Sequence, residues 1–398
     1  MTPERTVSPW ATTARDLYLV AMAVFLVTIV IGILNGADAV EFDRNAILTH
    51  VHSGTVGWLT LTIVASAFLL LRAADRRLML TLAILVPVYV LAFYTGNFPF
   101  RAIGGTALLA AIVWLLYWAW VTYLSGARTL PRLAVLLGLT SFGYGAVVGV
   151  LIQVGLALNL TILPGDVIGA HASAMTFGYL VLTAMGLIEW RILGTRDLPT
   201  LGLVQVGALF LGGLVISLAL LTGLEQIGGM IYLLTQLVAV VIFVIRVWPR
   251  ALNRSWTDAD PARHFSAASI WAVAALILFM YIVFTFITAA NPDDPNALPL
   301  NILIASDHAV YLGVITNVVI GLLSLLFLRG RAPAWMTQVI FWGINLGLLV
   351  FAIGLIVDTA EIKRIGAPVM GVTLLVALGL LAARTWGSAP DESALGEA

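Results

Sequence analysis

Twelve apolar stretches, each long enough to cross a bilayer, leave this chain few folds to choose from. They run at about 17–35, 46–71, 79–95, 104–124, 133–158, 167–190, 200–222, 227–246, 266–290, 299–328, 334–357 and 366–383. A helix needs about 20 residues to span the hydrocarbon core. With 61% hydrophobic and only 10% charged residues, the chain cannot be a soluble globular domain. Lipid offers backbone N–H and C=O groups no partners, so spanning segments must be helices that satisfy themselves. The expectation is an all-α polytopic membrane protein, a single membrane domain over residues 1–398 with the lipid bilayer as its solvent.

Loop charge gives an expected orientation. Loops after even-numbered spans carry Arg72, Arg76, Arg77, Arg128, Arg132, Arg191, Arg196, Arg246, Arg250, Arg254, Arg263, Arg329 and Arg331. Loops after odd-numbered spans carry only Arg44, Arg101, Lys363 and Arg364, among acidic residues such as Asp38, Glu41, Asp166, Asp293, Asp294 and Asp358. Both termini are therefore expected in the cytoplasm of a bacterial-type inner or plasma membrane. The first sixteen residues are polar and do not read as a cleaved signal peptide. No connection is long enough for a soluble domain, and no nucleic-acid partner is expected. His264, in the loop at about 247–265, reads as a surface histidine, and residues 385–398 read as a disordered cytoplasmic tail.

One frame occurs three times within the spans: HVHSGTVG at 50–57, HASAMTFG at 171–178 and SDHAVYLG at 306–313. The first slot holds His50, His171 and Ser306; the second holds His52, Ser173 and His308; the frame closes on Gly57, Gly178 and Gly313. The copies open spans 2, 6 and 10, which run in one direction, so the histidines share one depth in the outer third of the membrane. That spacing predicts three four-helix units, about 17–124, 133–246 and 266–383, around a pseudo-threefold axis.

Residues two apart on a helix point about 200° apart. His50 and His52 must therefore serve different neighbours. In a cyclic arrangement His308 meets His50, His52 meets His171, and Ser173 meets Ser306. Each glycine returns to the first-slot face two turns deeper, and a cleared face beside an imidazole suits a porphyrin. Intramembrane ionisable residues default to function, although a single histidine often only hydrogen-bonds across a helix interface. Copper on two imidazoles lacks further ligands and is the weaker cofactor reading. Haem propionates at this depth would need basic partners, for which Lys363, Arg364, Arg101 and Arg44 are the candidates.

Twelve spans, histidines on spans 2, 6 and 10, and the basic pair Lys363-Arg364 between spans 11 and 12 resemble subunit I of the haem–copper oxidases and nitric oxide reductases. By that resemblance His308 and His50 would ligate a low-spin haem b, with Lys363-Arg364 near its propionates. Ser306 stands where the family has its active-site haem ligand. Span 6 lacks the copper motif and span 7 lacks the His-His pair, so oxygen or nitric oxide reduction by the family's mechanism is not expected. A more distant resemblance is to NnrS-like nitric-oxide-response membrane proteins. The reading is a haem-binding redox protein with one or two b haems held by two histidines each: His50 with His308, and His52 with His171. Quinol or a periplasmic electron-transfer protein would be its redox partner. A haem-based gas sensor and a membrane transporter remain the alternatives.

Overall fold

A computed structural model describes residues 7–194, 198–289, 298–328 and 332–396. Arg196, Asp293, Asp294, Arg329 and Arg331 lie outside the described residues. Twelve helices are long and apolar enough to span a membrane: α1 Pro9–Gly36, α2 Arg44–Leu71, α3 Arg76–Tyr94, α4 Phe98–Ser125, α5 Leu130–Leu158, α6 Val167–Leu193, α7 Thr200–Thr222, α8 Glu225–Ala251, α9 Ala262–Ile287, α10 Leu300–Leu328, α11 Ala334–Ile356 and α12 Ala360–Thr385. No strand occurs among the described residues. The protein is an all-α, polytopic membrane protein.

Local sequence sets several starts. Asp43 caps α2 by accepting from Ala46 N at 2.8 Å, and Asp166 caps α6 by accepting from Gly169 N at 2.9 Å. Such caps are worth about 1 kcal/mol each. Pro9 occupies the first helical position of α1, where its missing N–H costs nothing, so the helix begins well before the apolar run at 17.

Burial marks α2 and α10 as innermost, while α6 is as buried as α5 and joins them through its contacts. In α2 and α10, 83% and 89% of the most apolar window is buried, against 33% in α1 and α4. α2, α6 and α10 pack on one another at the centre. Around them, α1 packs on α12 and α3, α4 on α3 and α5, α7 on α5 and α8, and α9 on α8. The ring closes between α9 and α11, where Trp271 Nε1 donates to Asn345 Oδ1 at 2.9 Å.

Each inner helix departs from α geometry at the same place. Segments Ser53–Thr60, Ala174–Val181 and Ala309–Thr316 are π-helical, each beginning immediately after the second slot of the frame. The closing glycine is the fifth residue of each. Thr60 and Thr316 cap equivalent wide turns by donating to Thr55 O and Tyr311 O, at 2.9 and 2.7 Å. π segments are rare and gather at functional sites.

The C-terminal segment is not a free tail. After α12 it forms a short 3₁₀ turn, Glu392–Leu395, and docks under all three inner helices. Arg72 of α2 donates to Gly396 O at 2.5 Å, Arg191 of α6 to Leu395 O at 2.9 Å and Ala394 O at 3.1 Å, and Asp391 N to Leu326 O of α10 at 3.0 Å. Ser8 donates twice to the Glu392 carboxylate, and Leu395 is 5% exposed. The expected disorder of 385–398 therefore fails for residues 385–396. Backbone carbonyls meeting Arg72 and Arg191 order a segment whose composition reads as loose.

Candidate functional site

The four frame histidines share one hydrogen-bond arrangement. First-slot imidazoles turn to the preceding outer helix: His50 Nδ1 pairs with Thr28 O of α1 at 2.9 Å, and His171 Nδ1 with Gly145 O of α5 at 2.8 Å. Second-slot imidazoles turn back on their own helix: His52 Nδ1 pairs with Leu48 O and His308 Nδ1 with Ile304 O, both at 2.8 Å. A carbonyl only accepts, so each Nδ1 carries the proton and each Nε2 is a bare lone pair. No hydrogen bond to any of these Nε2 atoms occurs among the described residues.

The outer helices repeat the arrangement. Gly32, one turn beyond Thr28, lies under the His50 ring, and Gly149, one turn beyond Gly145, lies under the His171 ring. A Cβ on Gly32 or Gly149 would stand 3.0 or 2.7 Å from the Cε1 atom of its imidazole. At the matching register of α9 stand Trp271, Ala275 and Phe279. Trp271 meets Gly313 as Val24 meets Gly57 and Ser141 meets Gly178, so Phe279 stands where α1 and α5 carry Gly32 and Gly149.

The histidines fall into two neighbouring pairs. His308 and His50 lie within electrostatic reach of each other, as do His52 and His171. Aromatic walls flank both. His52 stacks on Phe93 of α3 at 3.5 Å between centroids, and Tyr89 meets its edge at 6.2 Å. His308 meets Phe351 of α11 at 5.1 Å. In the remaining cleft, Phe177 of α6 packs edge-on against Phe279 of α9 at 4.1 Å, and Thr176 bonds Tyr311 at 3.3 Å.

The closing glycines do not present an open face. Val24 of α1 packs on Gly57, Ser141 of α5 on Gly178, and Trp271 of α9 on Gly313. They admit outer helices rather than leave room for a flat group, which corrects their assignment as cofactor contacts.

The basic candidates differ. Arg101, in the first turn of α4, is 3% exposed. It donates to Ala92 O, Phe93 O and Asn45 Oδ1, and lies 4.7 Å from the Phe93 ring that stacks on His52. No carboxylate pairs with it among the described residues. Lys363, at the matching position of α12, forms an ion pair with Asp358 at 3.2 Å, and Arg364 with Asp38 at 2.7 Å. The equivalent position in α8 is Gly228, beside the cleft without histidines. Arg44 is exposed.

Two groups were misread or missed. His264 is 3% exposed, not a surface residue, because α9 begins at Ala262 and carries it inside. Its Nδ1 pairs with Asn317 Oδ1 at 2.9 Å, and Asn317 joins Asn345 and Trp271 in a buried polar chain. Glu189, near the end of α6, is 2% exposed and held by Arg246 at 2.9 Å and Gln205 at 2.7 Å. The span read at 167–190 contained it, but sequence reasoning gave it no role.

Among the described residues, no three His, Cys, Asp or Glu side chains come together as a metal-binding group. Comparison with protein-family models finds no match, and comparison with curated proteins finds no significant relative.

Proposed function

We propose that this protein is a haem-binding membrane redox protein, with three units around a pseudo-threefold axis and bis-histidine b haems in two of the three inter-unit clefts. The observation that carries the reading is the shared state of four imidazoles. Each fixes its Nδ1–H on a backbone carbonyl and keeps Nε2 free, which is how a metal-ligating histidine is oriented and its basicity set. Two pairs lie near enough to influence each other's charge, His50 with His308 and His52 with His171, and Phe177 packs on Phe279 on the third side.

The surroundings fit the group. Phe93, Tyr89 and Phe351 offer flat apolar walls. Arg101 is a buried guanidinium without a carboxylate, suited to a propionate. Lys363 and Arg364 already share their charge with Asp358 and Asp38, so they are the weaker propionate partners. Two imidazoles with no third donor suit copper or zinc poorly.

His50 with His308, and His52 with His171, would hold haem, which would supply one-electron redox chemistry when bound. The chain's own contribution is to set imidazole orientation, exclude water and hold the propionate charge. The loop charges support an orientation with the histidines toward the outer face, where quinol or a periplasmic protein would exchange electrons. A pyridine haemochrome count on protein expressed with sufficient haem tests the proposal. About two b haems per chain are expected, and a haem-free protein would overturn it.

A further inference from the structure

At the end of the bundle away from the histidine pairs, α9 and α11 begin and α10 ends around a cavity of about 220 Å³. A water occupies about 30 Å³ of liquid, so there is room for a small polyatomic ligand with its hydration. Arg263, His264, Ser324 and Thr337 supply its polar wall; Ala259, Pro261, Leu328 and Ala334 are among the apolar lining.

Arg263 is 1% exposed. Its terminal nitrogens donate to Gln338 Oε1 at 2.6 Å and Thr337 O at 2.8 Å, and its guanidinium lies 4.5 Å from the Phe341 ring. Its Nε–H is buried and has no partner among the described residues. Asp258 and Asp260 are near enough to influence its charge, but neither forms an ion pair with it. A buried cation held only by neutral acceptors calls for an anion, and guanidinium is well matched to oxyanions.

His264 narrows the choice. Asn317 donates its amide N–H to Gly313 O at 2.9 Å, so its Oδ1 must accept from His264 Nδ1. Nε2 is the imidazole's remaining polar atom, and in the neutral ring it accepts. An occupant that meets both groups must offer Arg263 a negative oxygen and His264 an acidic O–H. Hydrogenphosphate and phosphate monoesters do so near neutral pH; sulfate and the phosphodiester of a lipid headgroup do not.

We infer that this cavity is a binding site for phosphate or a phosphate monoester, with Arg263 holding the charge and His264 accepting the phosphate proton. The site goes beyond the haem reading and does not depend on it. Isothermal titration of inorganic phosphate into the purified protein in detergent, in phosphate-free buffer, tests it. Saturable binding at one site per chain is expected, with sulfate binding at least tenfold more weakly. Arg263→Gln should abolish binding, and His264→Phe should remove most of the preference for phosphate over sulfate. Ala334→Trp, a change at an exposed position on the cavity wall, should also block binding while leaving both polar residues in place, which covers misfolding of the Arg263 variant. Absence of saturable phosphate binding, or equal affinity for sulfate, would overturn the assignment. So would a tightly retained anionic phospholipid that is lost in Arg263→Gln while phosphate has no effect.

Discussion

His171 rests on Gly149, one helical turn beyond the Gly145 carbonyl that accepts its Nδ1–H at 2.8 Å. His50 rests on Gly32 in the same relation to Thr28. One outer helix thus sets both the tautomer and the tilt of a first-slot imidazole. Gly149→Ala places a methyl 2.7 Å from the ring and must tilt it; Gly32→Ala, at 3.0 Å, is the milder change. The expected outcome is loss of more than half of the haem held with His171 in Gly149→Ala, and a smaller loss from the His50 pair in Gly32→Ala. Circular dichroism should show unchanged helix content, and difference spectra would report the haem.

Arg101 should tune one redox centre. Its charge favours the reduced, less positive state of a group beside His52. A unit charge acting at about 10 Å through an effective dielectric of about 20 is worth roughly 1–2 kcal/mol, on the order of 50–100 mV for one electron. Arg101→Gln should lower one midpoint potential by that amount in a redox titration. Lys363→Gln should shift the other by less, because Asp358 already offsets the lysine charge.

The Glu189–Arg246 pair is structural. Its side chains are only 3% and 12% exposed, so Glu189→Ala leaves a buried guanidinium without its carboxylate. The expected loss is about 3–5 kcal/mol, read as a lowered unfolding temperature with haem content per folded chain unchanged. The double variant Glu189→Met/Arg246→Met should recover most of it.

Docking of the C-terminal turn should also contribute to stability. Leu395 is 5% exposed beneath the inner helices, and Leu395→Asp forfeits about 2 kcal/mol of apolar burial. Protease sensitivity of the segment after Gly387 should rise in that variant. Unchanged cleavage would mean that the segment is not held in solution.

The spans and the histidine frame were legible because polar residues in apolar runs have few structural reasons to be there. Other features carried no such mark. A π segment is a backbone state set by packing around Gly57, Gly178 and Gly313, and nothing in VHSGTVG distinguishes it from an α turn. The role of Gly32 and Gly149 depends on the register of outer helices against inner ones. Phe279 closes the third cleft through that same register. His264 was misplaced by an error of one helical turn in the start of α9, enough to move it from solvent to core. The docked end of the chain is held largely through backbone carbonyls, to which composition is blind.

The most direct test of the paired-histidine account is the haem count and reduced-minus-oxidised spectrum of His308→Ala, His171→Ala and the double variant beside the parent protein. The account predicts two b haems in the parent, one in each single variant with distinct spectra, and none in the double variant. A parent without haem, or single variants that keep both haems, would contradict it.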